Sequence, residues 1–330
     1  MPGTMRFLGK IDLMVRLLIL AILLASVLPA TGGARDIAQW VSNAAIFVLF
    51  FLNGLRLPRR EVIRGIGNWR FLLPLVMWCF GAMALAGKGL ELGLAGAMPP
   101  MVALGFLYLG VLPSTVQSAT AYSSLAGGNV ASSVVAAALT NILGVFVCTP
   151  LFVALGGGGA ADMGLEGLAK VFGMLILPFA IGQGLQTRMS GWVAGHRNLV
   201  TWMDRLSIAI AVYVAFSGAV EQGLWVRVGA GEWAVLLAAV CAMLVFAFAG
   251  SWLVAGAIGL DRGDRIAFLF AGAQKSVAMG APLAAVLFPP AVAGMVLLPL
   301  LAYHLLQLVV SAPLAARLAS HDRSSPGSAD

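Results

Sequence analysis

The chain has 330 residues, 61% hydrophobic and 10% charged, with a net charge of +7. A soluble domain carries about 25% charged residues, so these values exclude a soluble globular enzyme and indicate a polytopic membrane protein. The positive balance does not mark a nucleic-acid partner. The basic residues lie between apolar segments, where membrane topology accounts for them.

Ten apolar segments follow one another, at roughly 13–30, 38–56, 70–87, 101–126, 130–155, 168–186, 203–221, 232–259, 265–288 and 291–317. Each can cover ~30 Å of hydrocarbon as a helix. The first carries Arg16 and lacks a small-x-small cleavage site, so it reads as a retained helix rather than a signal peptide. Cys79, Cys148 and Cys241 each lie inside an apolar segment and read as small fillers without metal-ligand spacing.

Charge placement predicts the orientation. With the N-terminus inside, the 20 Lys and Arg divide into fifteen on the cytoplasmic side, four outside (Arg35, Lys88, Lys170, Arg227) and Lys275 within the membrane. Both termini are then cytoplasmic in a bacterial inner membrane. The expected boundaries are a first five-helix half over 1–155, a second over 156–319 and a polar, disordered tail over 320–330. Asp162 and Glu166 fall in an external loop. Because five is odd, the second half must enter the bilayer upside down, the inverted-repeat plan of secondary transporters.

Two segments carry polar chemistry. In the fourth, Pro113 removes a backbone donor and is followed by Ser114, Thr115, Gln117, Ser118, Thr120, Ser123 and Ser124. Irregular backbone at that depth is tolerated only where it is buried or lines a cavity. Its carbonyls and hydroxyls could hold a cation, and a half-helix N-terminus an anion; a Ser/Thr-rich helix contact would need fewer polar groups. The fifth segment adds Ser133, with Thr140 and Asn141 able to face the break. In the ninth, Gln274, Lys275 and Ser276 interrupt an apolar run from Ile266 to Phe288. A charge at that depth costs at least ~2.5–3.5 kcal/mol and must face protein or water. No acidic residue lies near the middle of an apolar segment, and snorkelling from the midplane is a long reach. His304 and Gln307 share one face of the tenth segment and read as interhelical hydrogen-bond partners rather than metal ligands.

The block Leu112-Pro-Ser-Thr-Val-Gln-Ser118 through Gly128-Asn-Val130, with Gly272-Ala-Gln-Lys-Ser276 and Leu52-Asn-Gly-Leu-Arg-Leu57, resembles the bile acid:sodium symporter superfamily, and its SBF-like branch most closely. The resemblance spans nearly the whole chain. It implies an all-α fold of ten transmembrane helices in two inverted five-helix repeats. A panel domain would hold spans 1, 2, 6 and 7, a core domain spans 3–5 and 8–10, and broken helices 4 and 9 would cross. It also implies a sodium site near Ser118, Ser133 and Gln274. The departures count against sodium coupling. The family's sodium-binding Glu is Phe270 here, its neighbouring Asn is Lys275, a fourth-helix Asn is Ala119 and a fifth-helix Thr is Ala137.

The resulting expectation is a secondary active transporter that moves a small or amphipathic organic solute, an anion by preference, through alternating access. No cofactor is expected beyond Na+ or H+ as a coupling ion. The partners are the solute and the lipid bilayer, with the oligomeric state left open. The predicted substrate- and ion-binding residues are Ser114, Thr115, Gln117, Ser118, Thr120, Ser133, Asn141, Gln274, Lys275 and Ser276. Three roles are open for Lys275: a charge surrogate for a missing Na+, an anion contact and a proton carrier. A membrane-embedded Ser-Lys enzyme built on Ser118 and Lys275, and a non-transporting receptor, are the competing classes.

Overall fold

The computed structural model describes residues 13–56, 67–159 and 169–323. Asp162, Glu166 and the tail from residue 324 lie outside the described residues. The described residues form an all-helical protein without a β-strand. The helices are α1 (Leu13–Val27), α2 (Gly32–Arg56), α3 (Trp69–Gly93), α4 (Pro100–Val111), α5 (Val116–Leu125), α6 (Val130–Ala154), α7 (Ala169–Gly195), α8 (Arg197–Glu221), α9 (Ala230–Ala257), α10 (Arg262–Ala273), α11 (Val277–Leu287) and α12 (Pro290–Arg323). Eight stretches among the described residues are long and apolar enough to cross a membrane, nine when the bent pair α4–α5 counts as one. The α10–α11 run counts among them as a single stretch. The remaining expected segment is α1, whose 15 residues are apolar but shorter.

Large apolar side chains lie on the outside, as a hydrocarbon solvent permits: Leu20, Leu23, Met77, Leu85, Val245 and Leu253 are all exposed. The α10–α11 stretch is the opposite case. Its most apolar window is 94% buried, so protein and not lipid surrounds it.

The chain gathers into two compact units that cut across sequence order. Among the described residues, one comprises 13–56, 158–159, 169–229 and 281–297; the other comprises 67–157, 230–280 and 298–323. In the first unit α2 packs on α7 and α8, and α1 packs on α8. Gly54 and Gly182 bring α2 and α7 into backbone contact, since a Cβ on Gly54 would lie 3.1 Å from the Gly182 Cα. Ion pairs join α2 to α8 at both ends, Arg35 with Glu221 and Arg56 with Asp204. Arg56 also donates to the Val200 carbonyl at 3.1 Å.

In the second unit α3 packs on α4, α9 on α10, and α10 on both α5 and α6. Asp264, in the first turn of α10, fastens these helices together. Its carboxylate accepts from Asn129 Nδ2 at 2.8 Å, Ser132 Oγ at 2.7 Å and Asn68 Nδ2 at 3.4 Å. Asp261 caps the same helix, accepting from the Asp264 N–H at 2.9 Å. The polar site lies wholly within this second unit.

Candidate functional site: two helix breaks around a buried lysine

The fourth segment breaks where proline chemistry requires it. Pro113 pushes the preceding residue out of the helical region, and Leu112 is extended at φ −75°, ψ 150°. Helix α4 therefore stops at Val111, and α5 restarts after Thr115, whose Oγ1 accepts from the Ser118 N–H. The two pieces meet at 61°.

A broken helix leaves carbonyls without donors, and in a bilayer each must be satisfied internally. Five consecutive carbonyls here find partners outside their own helix. Gly110 O and Leu112 O accept from Lys275 Nζ at 2.9 and 2.7 Å. Val111 O faces the Cys148 thiol at 3.1 Å. Pro113 O accepts from the Ser276 N–H at 3.0 Å, and Ser114 O from Asn141 Nδ2 at 2.8 Å.

The ninth segment breaks at Gln274–Ser276 without a proline at the break. Gln274 is extended at φ −83°, ψ 145°. A stripe on α12 spaced one turn apart holds the break through both its freed backbone groups and the Gln274 side chain. Tyr303 donates to Ala273 O at 2.6 Å, and Ser311 Oγ accepts from Gln274 Nε2 at 3.2 Å. Gln307 clasps both polar groups of residue 275: its Oε1 accepts the Lys275 N–H at 2.8 Å and its Nε2 donates to Lys275 O at 3.1 Å. The backbone N–H can only donate, which fixes the orientation of the carboxamide. Gln307 Nε2 also meets His304 Nδ1 at 2.8 Å, so that ring nitrogen is the acceptor and the proton of the neutral ring sits on Nε2. From α4, Tyr108 donates to Gly280 O at 2.6 Å.

Lys275 is fully buried. Its third donor reaches Cys79 O at 3.2 Å. That carbonyl is available because α3 contains a π turn over Trp78–Ala82. The Met83 N–H bonds to Trp78 O, five residues back, instead of Cys79 O, four back. The ammonium thus spends its three protons on three backbone carbonyls. The salt bridges among the described residues are the two on α2 and Lys88 with Glu91, so Lys275 has no carboxylate partner among them.

Glycine permits the approach that presents Gly110 O. A Cβ on Gly110 would sit 2.6 Å from Met83 O and 3.3 Å from the Gly87 Cα. Helices α3 and α4 are therefore in backbone contact one turn beyond the π turn.

Of the predicted site residues, Gln274, Lys275, Ser276, Ser118, Thr115, Asn141 and the Ser114 carbonyl come together at the two breaks. Ser118 Oγ donates to Gln274 Oε1 and takes its own acceptor contact from Thr115 Oγ1 at 2.7 Å. Ser133 bonds to Ser123 Oγ at 3.2 Å, and Thr140 turns back to its own helix. The Ser114 and Thr120 hydroxyls are buried without a hydrogen-bond partner. Gln117 is exposed. The sequence reading missed Tyr108, Tyr303, Ser311 and the Cys79 carbonyl. The four-residue spacing of Tyr303, Gln307 and Ser311 was a visible signal; the π turn had none. Among the described residues, no group of three His, Cys, Asp or Glu could hold a metal ion.

The chain is similar to known proteins along most of its length. The sequence profile of the SBF-like CPA transporter family matches residues 12–320. The Escherichia coli K12 protein named Putative symporter YfeH is 38% identical over 305 residues, covering 91% of this chain and 90% of that protein. Protein PA2026 of Pseudomonas aeruginosa, itself uncharacterized, is 39% identical over 307 residues, covering 92% and 91%. Sodium/bile acid cotransporter 7 of Rattus norvegicus is 21% identical over 312 residues, covering 88% and 86%.

Proposed function

We propose a specific transport activity for this chain, which belongs to the SBF-like CPA transporter family and is a membrane transporter, not an enzyme: alternating-access movement of a small or amphipathic organic anion. One observation carries the reading. A fully buried ammonium, without an acidic partner among the described residues, stands where two helix breaks meet. Broken helices at bilayer depth are the usual place for solute and ion contacts in secondary transporters. A buried positive charge together with two helix starts, at Val116 and Val277, favours a negative solute. The name of the rat relative adds bile acids to the amphipathic anions worth testing.

The finer architecture belongs to the same proposal. Ten spans form two inverted repeats over 1–155 and 156–319, with a panel of spans 1, 2, 6 and 7 and a core of the rest. The grouping of α1, α2, α7 and α8 in one compact unit supports that division, although residues 281–297 join them. The arginine and lysine distribution supports an inner-membrane protein with both termini in the cytoplasm.

Sodium is left out of the mechanism. The oxygens that would hold it are committed elsewhere. Gln274 Oε1 accepts from Ser118, and the Ser118 and Ser133 hydroxyls bond to Gln274 and Ser123. Phe270 offers no oxygen, and the charge present at the break is already positive. Uptake of labelled carboxylates and bile salts into proteoliposomes, with Na+ and H+ gradients imposed separately, tests the proposal. Saturable flux of an anion that does not require Na+ is expected. No anion flux under any gradient would refute it.

A further inference from the structure

We propose that the carbonyls of Cys79, Gly110 and Leu112 form a monovalent-cation site that this chain fills permanently with its own Lys275 ammonium, and that shortening the lysine opens the site to a short primary ammonium ion. The inference deepens the transport reading by explaining why the site needs no alkali cation. The cradle itself can be tested without any solute.

Three observations carry it. The first is stoichiometry: an alkylammonium has three N–H donors, and Lys275 Nζ has three acceptors at 2.7, 2.9 and 3.2 Å, every one a backbone carbonyl. A ring of carbonyls in a dry interior is how proteins replace the hydration shell of a monovalent cation. The second is the origin of those carbonyls. Gly110 O and Leu112 O belong to the C-terminal end of α4, where carbonyls lack helical donors and the helix dipole is negative. Cys79 O is released by the π turn in α3. Two separate departures from regular helix present oxygen to one point.

The third observation is what lies beside the cradle. The Ser118, Gln274 and Ser311 side chains bond to one another, and Gln307 is occupied with the backbone of residue 275. None of these oxygens turns to the ammonium. A second cation near them would meet like charge in a low-dielectric setting. The lysine therefore supplies both the charge and the hydrogen bonds that a bound ion would otherwise bring, and its covalent tether removes the entropic cost of binding.

Lys275→Ala removes the atoms of propylammonium and leaves the cradle. The test is a thermal melt of the purified variant and of the wild-type chain in nanodiscs, in propylammonium chloride or tetramethylammonium chloride at equal ionic strength. The variant is expected to melt below wild type and to rise by about 5 °C or more, saturably, with propylammonium but not with the quaternary ion, which has no N–H to donate. Stabilisation of the variant, but not of wild type, by Na+ or K+ points the same way. The wild-type melt is expected to be unchanged when Na+ is replaced by N-methylglucamine. A variant that ignores propylammonium and every alkali cation, or a wild type selectively stabilised by Na+, overturns the proposal.

If Lys275→Ala does not fold, Lys275→Met keeps the stem volume without the charge. It is expected to melt below wild type, and an equal melting temperature overturns the proposal. Amine rescue of the melt with no solute flux in any chain would remove the transport reading and leave the cation site standing.

Discussion

Replacing Gln307 by Leu isolates the clasp that holds the ninth break. Gln307 is fully buried, and its carboxamide pairs with the N–H and the carbonyl of one residue, Lys275, at 2.8 and 3.1 Å. Leucine fills a similar volume but can neither donate nor accept, so both backbone groups lose their partner away from water. Leaving a buried polar group unsatisfied costs about 1–3 kcal/mol. The two groups together therefore cost about 2–6 kcal/mol, and partial relaxation of the break places the expected loss near 3–4 kcal/mol.

Leu305→Ala is the control on the same helix. Leu305 is 37% exposed, so its truncation is expected to cost roughly 1 kcal/mol or less. Equilibrium unfolding of both variants in mixed micelles by SDS titration measures the difference. If Gln307→Leu unfolds within about 1 kcal/mol of wild type, the break is held by something other than this clasp, and the account of the ninth segment fails.

Two further outcomes can be measured, one from the site geometry and one from the charge distribution. Gly110→Ala places a methyl group 2.6 Å from Met83 O, so α4 must retreat from α3 and carry its carbonyl away from Lys275. Overpacking of this kind costs about 1–3 kcal/mol, read as a lower melting temperature than that of Gly89→Ala, where the added Cβ meets nothing within 4 Å. Equal melting temperatures would show that the close approach is not required. A fluorescent reporter that matures only in the cytoplasm, fused after residue 330, is expected to glow, while a periplasmic phosphatase at the same position stays inactive. The reverse pattern would invert the topology.

The membrane class was legible from composition, and the helical segments from apolar runs, because a bilayer demands length and apolarity whatever the helices pack against. The fourth break was legible because proline acts locally: it removes a donor and extends the residue before it. Lys275 also stood out, since a charge deep in an apolar run is rare enough to notice.

What the lysine does there was not written in its own segment. The ninth break has no proline at its centre, and it persists because Tyr303 and Gln307, about thirty residues downstream, take up the backbone groups it frees, while Ser311 holds the Gln274 side chain. The cradle draws on a π turn nearly two hundred residues upstream of the lysine, which no local pattern announces. Sequence sets which groups are polar and which segments must be buried, for those follow from transfer free energy residue by residue. Only the tertiary structure decides which carbonyl faces which donor, because that depends on helices meeting at a particular rotation and depth.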